Sequence, residues 1–335
     1  MRKLTPLALI LVLLGSGCTV PILNIEIPGL PDIPGFGGPT VVQYEHDIVI
    51  IESLEAVPAE IDAGQSTNIV AYIKNIGVRT IEKPIKVNLY DYCKGLFATP
   101  KVMCGGGSPN DGTECEIKRM LPKEIVRISW TLEQEDKNKV KLRTICPPDG
   151  MKVSVEYEYA TTSLSTISFI SKDELERTLE ARTLMSTDSY IVVGQGPIKP
   201  YLTVEDEQPV PVYQDARTML QLVIKNMGSG QLSSKFTTED NNEFVGLPAP
   251  NSIIVTGIGR GELEPLDADC RLEGNVKENV RLIGKESPPY QCRIDLTNLM
   301  NDITKTGTRH LEVEVKYKYM FTKSVQVVVN PKFTA

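Results

Sequence analysis

Histidine is nearly absent from this sequence: His46 and His310 are the only two in 335 residues, and they stand far apart along the chain. A mechanism built on an imidazole base with an orienting partner has almost no material here, and neither does a histidine-rich metal centre. The G-x-S-x-G, H-E-x-x-H and phosphate-loop patterns are also missing. Aromatics make up 6% and tryptophan occurs once, so no row of exposed rings stands out as a sugar-stacking platform. No N-x-Ser/Thr acceptor occurs, which argues against heavy N-glycosylation. Lys and Arg total 36 against 43 Asp and Glu, with no long run of either sign, so nucleic acid is excluded as a partner. No apolar stretch approaches the ~20 residues that a spanning helix needs.

What is present begins with an export pattern. Met1-Arg2-Lys3 is cationic, Leu7 to Leu14 is apolar, and small residues follow up to Cys18. The run Leu14-Gly15-Ser16-Gly17-Cys18 resembles a lipoprotein lipobox, with Gly15 where that pattern carries an aliphatic residue. The resemblance implies that Cys18 is the lipidated first residue of the mature chain. Pro21, Pro28, Pro31, Pro34 and Pro39, with Gly29, Gly35, Gly37 and Gly38, disfavour helix and central strand, so residues 19–43 read as a tether.

Six cysteines remain: Cys93, Cys104, Cys115, Cys146, Cys270 and Cys292. An even number in an exported chain argues for disulfides, and the absence of any C-x2-C pair argues against zinc. Cys270 with Cys292 is the pair available in the second half. Repeat order then sets Cys115 with Cys146 and leaves Cys93 with Cys104, although four cysteines admit three pairings.

The order itself comes from an internal repeat. Asn68 to Gly77 and Met219 to Gly228 share the ending Ile-Lys-Asn-x-Gly, an apolar strand stopped by the residues most tolerant of a turn. Alternating strands recur at Val153 to Tyr159 and Leu311 to Tyr319, each followed by a further strand-like run, Leu164 to Ile170 and Ser324 to Val329. Between the copies, Ser171 or Asp173 can cap a short helix whose first turn carries Glu174 and Glu176. The segment Val57 to Ser66, followed by Ile73-Lys74-Asn75-Ile76-Gly77, resembles the opening of CARDB-type domains, immunoglobulin-like β-sandwiches of prokaryotic surface proteins associated with adhesion. The resemblance covers the first strands of the first copy and implies a fold, not a function.

The expected fold is all-β, with two tandem immunoglobulin-like sandwiches: signal 1–18, tether 19–43, first sandwich 44–170, helical linker 171–190 and second sandwich 191–335. Catalytic, cofactor and metal residues are expected to be none. Gly105-Gly106-Gly107 reads as a loop pinned by cysteines, and the acidic runs Glu239 to Glu243 and Asp267 to Asp269 as solvated loops lacking EF-hand spacing. Trp130 alternates with Val126, Ile128 and Leu132 and is expected in the core. The expected function is a non-catalytic protein held at the membrane surface, acting in adhesion or surface assembly through protein partners or self-association. Alternatives are a solute- or polysaccharide-binding lipoprotein, marked by aromatics and polar groups converging in a cleft between the domains, and an accessory subunit of an exported enzyme complex.

Overall fold

The computed structural model describes residues 40–43, 46–110, 112–135, 138–187, 190–233, 252–258 and 279–331. The signal with Cys18, and all but the last four residues of the tether, lie outside the described residues. So do Cys270 and both acidic runs.

Strands dominate. The first half holds β1 (Thr40–Gln43), β2 (Val49–Val57), β3 (Glu60–Asp62), β4 (Thr67–Asn75), β5 (Ile85–Tyr90), β6 (Lys101–Cys104), β7 (Ser108–Pro109), β8 (Glu114–Ile117), β9 (Ile125–Leu132) and β10 (Thr144–Ser171). After helix α1 (Lys172–Glu180) come β11 (Tyr190–Val193), β12 (Ile198–Val204), β13 (Val210–Val212), β14 (Arg217–Asn226), β15 (Gln231–Leu232), β16 (Ser252–Ile258), β17 (Asn279–Arg281), β18 (Tyr290–Asp295) and β19 (Thr306–Asn330). Ser171 caps α1, its Oγ accepting from the Glu174 N–H at 3.4 Å, and no residue of the helix is buried. Among the described residues no helix is long and apolar enough to cross a membrane.

Each half keeps a small sheet of its own, β2-β4-β9-β6 in the first and β12-β14-β18 in the second. The repeated Asn closes its central strand in the same way twice. Asn75 Oδ1 accepts from the Gly77 N–H at 2.9 Å while its amide donates to Arg79 O; Asn226 accepts from Gly228 at 3.1 Å and donates to Gly230 O. These side-chain turns satisfy backbone groups where the strand ends, so both asparagines are buried without penalty.

The large sheet departs from the expectation of two separate sandwiches. Its path is β17-β16-β19-β10-β5-β8-β7, and the described residues from the end of the tether onward form one compact unit. Strand β10 begins in the first half, where Lys152 to Glu156 pair with β5, and then runs on into the second half, where Phe169 to Ser171 lie parallel to β13. Strand β19 does the reverse: Val313 to Lys316 pair with β16, and Val328 to Asn330 lie parallel to β3 in the first half. Each half therefore donates its last strand to the other.

The two long strands pair antiparallel without a break from Met151–Val325 to Ile170–Thr306. Tyr157 faces Tyr319, Tyr159 faces Tyr317, and Glu158 faces Lys318, so the repeat relates the halves by a pseudo-two-fold through the Glu158–Lys318 pair. The cause is legible in composition. From Met151 to Ser171, and from Thr308 to Val329, neither strand contains Gly, Pro, Asn or Asp, so nothing turns the chain back into a hairpin. The alternation of buried and exposed residues continues through the crossing, and one apolar core extends across both halves.

Candidate functional site

The cysteines fix one side of the first half. Cys93 is bonded to Cys146 and Cys104 to Cys115, each with Cα atoms 5.9 Å apart. The expected pairs Cys115–Cys146 and Cys93–Cys104 are thus incorrect. The repeat order misled because Cys292 lies on β18, which pairs with β14 as β9 pairs with β4, whereas Cys146 lies on β10. Cys146 is therefore no counterpart of Cys292. In the observed arrangement Cys104–Cys115 ties the small sheet to the large one, and Cys93–Cys146 ties the loop after β5 to the start of β10.

Trp130 is fully buried, as its alternation predicts, and its Nε1 donates to the Thr113 carbonyl at 2.7 Å. The same carbonyl accepts from the Leu89 N–H, so the core tryptophan also anchors the loop leading into β8. The glycine run has a packing role. A Cβ on Gly105 would stand 2.7 Å from the Arg127 carbonyl oxygen, and one on Gly107 would stand 2.6 Å from that of Glu116, so only glycine lets the loop close on β8 and β9.

The two histidines lie on separate segments. His310 is exposed on β19 and shares a 3.0 Å hydrogen bond with Thr166 across the ladder. His46 is partly buried beside Asp47, its Nδ1 without a partner, and burial, aided by the charge of Lys199, lowers its pKa below the usual value. Lys199 is fully buried, its Nζ donating to the Gly194 carbonyl at 2.6 Å, and burial lowers its pKa to about 8.

These groups border a polar knot on the pseudo-two-fold. Tyr157 and Tyr319 meet edge to face at 5.9 Å, and Tyr317 meets Tyr319 at 6.4 Å. The Tyr317 hydroxyl lies 2.7 Å from Thr161 Oγ1, and the Tyr319 hydroxyl accepts from the Gly230 N–H while donating to Asn226 Oδ1. Burial raises the pKa of all three tyrosines. Lys199 has no exposed surface, and the knot packs where the two long strands of the halves cross.

Among the described residues, a groove of about 810 Å³ opens in the first half. The end of β5 and its following loop form one wall, from Asn88 to Lys94; the Thr113 loop and the Pro147 to Lys152 stretch of β10 form the others. The Cys93–Cys146 disulfide stands at its edge, with Cys93 and Pro147 in the lining. Lys152 Nζ stands 3.1 Å from Asp91 Oδ2, a contact that raises the Lys152 pKa. Asp91 and Cys93 hold left-handed backbone at φ 58° and 56°, a conformation that costs non-glycine residues energy and that folds retain where a wall must be shaped. Tyr90 reaches toward Thr322 of β19, 3.4 Å between hydroxyls, so the donated strand of the second half supports the groove of the first. Sequence reasoning missed this groove because its walls are brought together by the Cys93–Cys146 disulfide and the exchanged strand. Its one local signal is the polar, aromatic run Asn88-Leu-Tyr-Asp-Tyr-Cys-Lys94.

Among the described residues no group of three or more His, Cys, Asp or Glu is placed to hold a metal ion. No protein-family model matches the chain, and no curated protein matches it.

Proposed function

We propose that this chain is a non-catalytic surface protein, held at the membrane through Cys18 and a Pro/Gly tether, whose two immunoglobulin-like lobes act in adhesion or assembly of a cell-surface structure. The observation that carries the reading is the reciprocal donation of β10 and β19, which makes one stiff body of two lobes. Such a body suits the transmission of contact more than the opening and closing of a substrate site. The disulfides agree with an oxidising, extracytoplasmic setting.

The test has two readouts. Cys18→Ser should release the chain from the cell envelope or leave an unprocessed precursor, read by fractionation and intact mass. A strain lacking the chain should lose cell–cell or cell–surface attachment, restored by the wild type and not by the released variant. Full attachment in the deletion strain would overturn the adhesive role, and a mature terminus beyond Cys18 without lipid mass would overturn the anchor.

A further inference from the structure

We infer that the groove beside the Cys93–Cys146 disulfide binds a segment of a neutral oligosaccharide. The inference goes beyond the adhesive reading, because a glycan could occupy the groove whether or not the chain is tethered.

Size is the first argument. A groove of about 810 Å³ falls within the ~300–1,000 Å³ typical of small-ligand sites.

Charge is the second. Asp91 and Asp149 offset Lys94 and Lys152 within the same lining, and Asp91 is already paired with Lys152. A phosphorylated or strongly acidic ligand would meet two carboxylates in the same lining as the two lysines, whereas a neutral polyol can use carboxylate acceptors and ammonium donors alike. An apolar ligand would strip water from these charged groups and replace none of its hydrogen bonds.

The third argument concerns unspent hydrogen bonding and the rings. Asn88 Oδ1 is buried and has no partner, on an outward-facing residue of β5 that lines the groove. An acceptor in that state is costly unless a donor arrives, and a sugar hydroxyl is such a donor. Tyr90, partly exposed, offers an amphipathic ring to the C–H face of a pyranose. Tyr92, buried in the same wall, lies under the Lys94 ammonium at 5.9 Å.

Pre-organisation is the fourth. The walls are held by the Cys93–Cys146 disulfide, by the Trp130 bond to the Thr113 carbonyl and by the Asp91–Lys152 pair, so less ordering remains to oppose binding.

Titration calorimetry of the purified full chain provides the test. The probes are tetrasaccharides of β-1,4-glucose, α-1,4-glucose, β-1,4-mannose and β-1,4-N-acetylglucosamine, together with a tetra-uronate and an extended neutral hexapeptide. At least one neutral tetrasaccharide should saturate the protein with Kd below about 1 mM. Tyr90→Ser and Asp91→Asn should each weaken it about tenfold or more, the latter keeping a side chain that tolerates positive φ. Arg309→Gln, in the second half, should leave binding unchanged. Chemical-denaturation midpoints identify folded variants, and Lys152→Met replaces either groove variant that fails to fold. The inference is overturned if no neutral tetrasaccharide binds, if binding ignores every folded groove variant, or if only the uronate or the peptide binds. Any of these results would leave the adhesive reading standing, since that rests on envelope release and attachment.

Discussion

The two halves of the molecule share a strand plan and differ in what is built on it. The small sheet of each half holds an Ile-Lys-Asn-x-Gly strand in its interior, and both halves receive their last strand from the other. On that frame the first half adds two disulfides and the groove beside Cys93. The halves share their strand pairing and differ in the surface built on it. The exchanged strands belong equally to both halves, whereas the shaped surface belongs to one.

The largest effect should come from separating the halves. Residues 44–170 alone lack the β19 tail that pairs with β3 and β10, and residues 191–335 alone lack the β10 tail that pairs with β13. Each should fail to show a cooperative unfolding transition, while co-expression should yield a complex with the full chain's hydrogen-exchange protection along β10 and β19. A first half that unfolded sharply on its own would break the comparison and restore two independent sandwiches.

Next come the disulfides, which sharpen the asymmetry. The Cys93–Cys146 bond spans 53 residues and Cys104–Cys115 spans 11, so loop-closure entropy assigns about 4 kcal/mol to the first and about 3 kcal/mol to the second. Paired Cys→Ser replacement at each bond, followed by denaturant titration, should reproduce that order. The groove should also lose shape only in the Cys93/Cys146 variant, read as lost oligosaccharide binding. Free thiols at Cys93 and Cys146 in the native chain, found by non-reducing peptide mapping, would remove the premise.

The buried asparagines test the sameness of the halves. Asn75→Ala and Asn226→Ala each break a turn to a glycine N–H and a bond to a carbonyl two residues beyond it, and each loses a third partner, Met120 O for the one and the Tyr319 hydroxyl for the other. Each should cost about 2–3 kcal/mol. A difference between them much larger than about 1 kcal/mol would show that the pseudo-two-fold does not extend to energetics.

Much of this plan could be read from residues. Period-two alternation located β9, β10 and β19, the repeated Ile-Lys-Asn-x-Gly ending located β4 and β14, Ser171 was one of two residues read as the cap of α1, and Trp130 was correctly expected in the core. Strand exchange was written in the sequence as an absence, the lack of turn residues between Val153 to Tyr159 and Leu164 to Ile170. Periodicity alone reads such a run as two strands as readily as one. Pairing partners are non-local, so neither the exchange nor Cys93–Cys146 could be derived from order along the chain. The groove was hidden for the same reason: Asn88, Thr113 and Lys152 meet only after the sheet forms.

The smallest expected effect concerns the junction itself, where the halves differ in one buried charge. Lys199 on β12 has its pKa lowered to about 8 from 10.5, so between those values the unfolded chain holds the proton more tightly than the folded one. Stability should therefore rise as pH increases from about 8 toward 10. The tyrosines of the knot act in the opposite sense. Tyr157, Tyr317 and Tyr319 have raised pKa values, so above about pH 10 the unfolded chain ionises first and stability falls. His46, lowered by burial, adds a separate decline as pH drops below 6.5. Thermal melts across pH 6–11 should show a maximum between pH 9 and 10. Lys199→Met should abolish the rising limb and leave both declines, with a melting temperature at pH 7 raised by about 2–4 °C, the shift that ~1 kcal/mol brings in a large domain. An unchanged rising limb in Lys199→Met would mean that another group carries it. A fall in melting temperature at pH 7 would mean that the bond from Lys199 to the Gly194 carbonyl outweighs the cost of the buried charge.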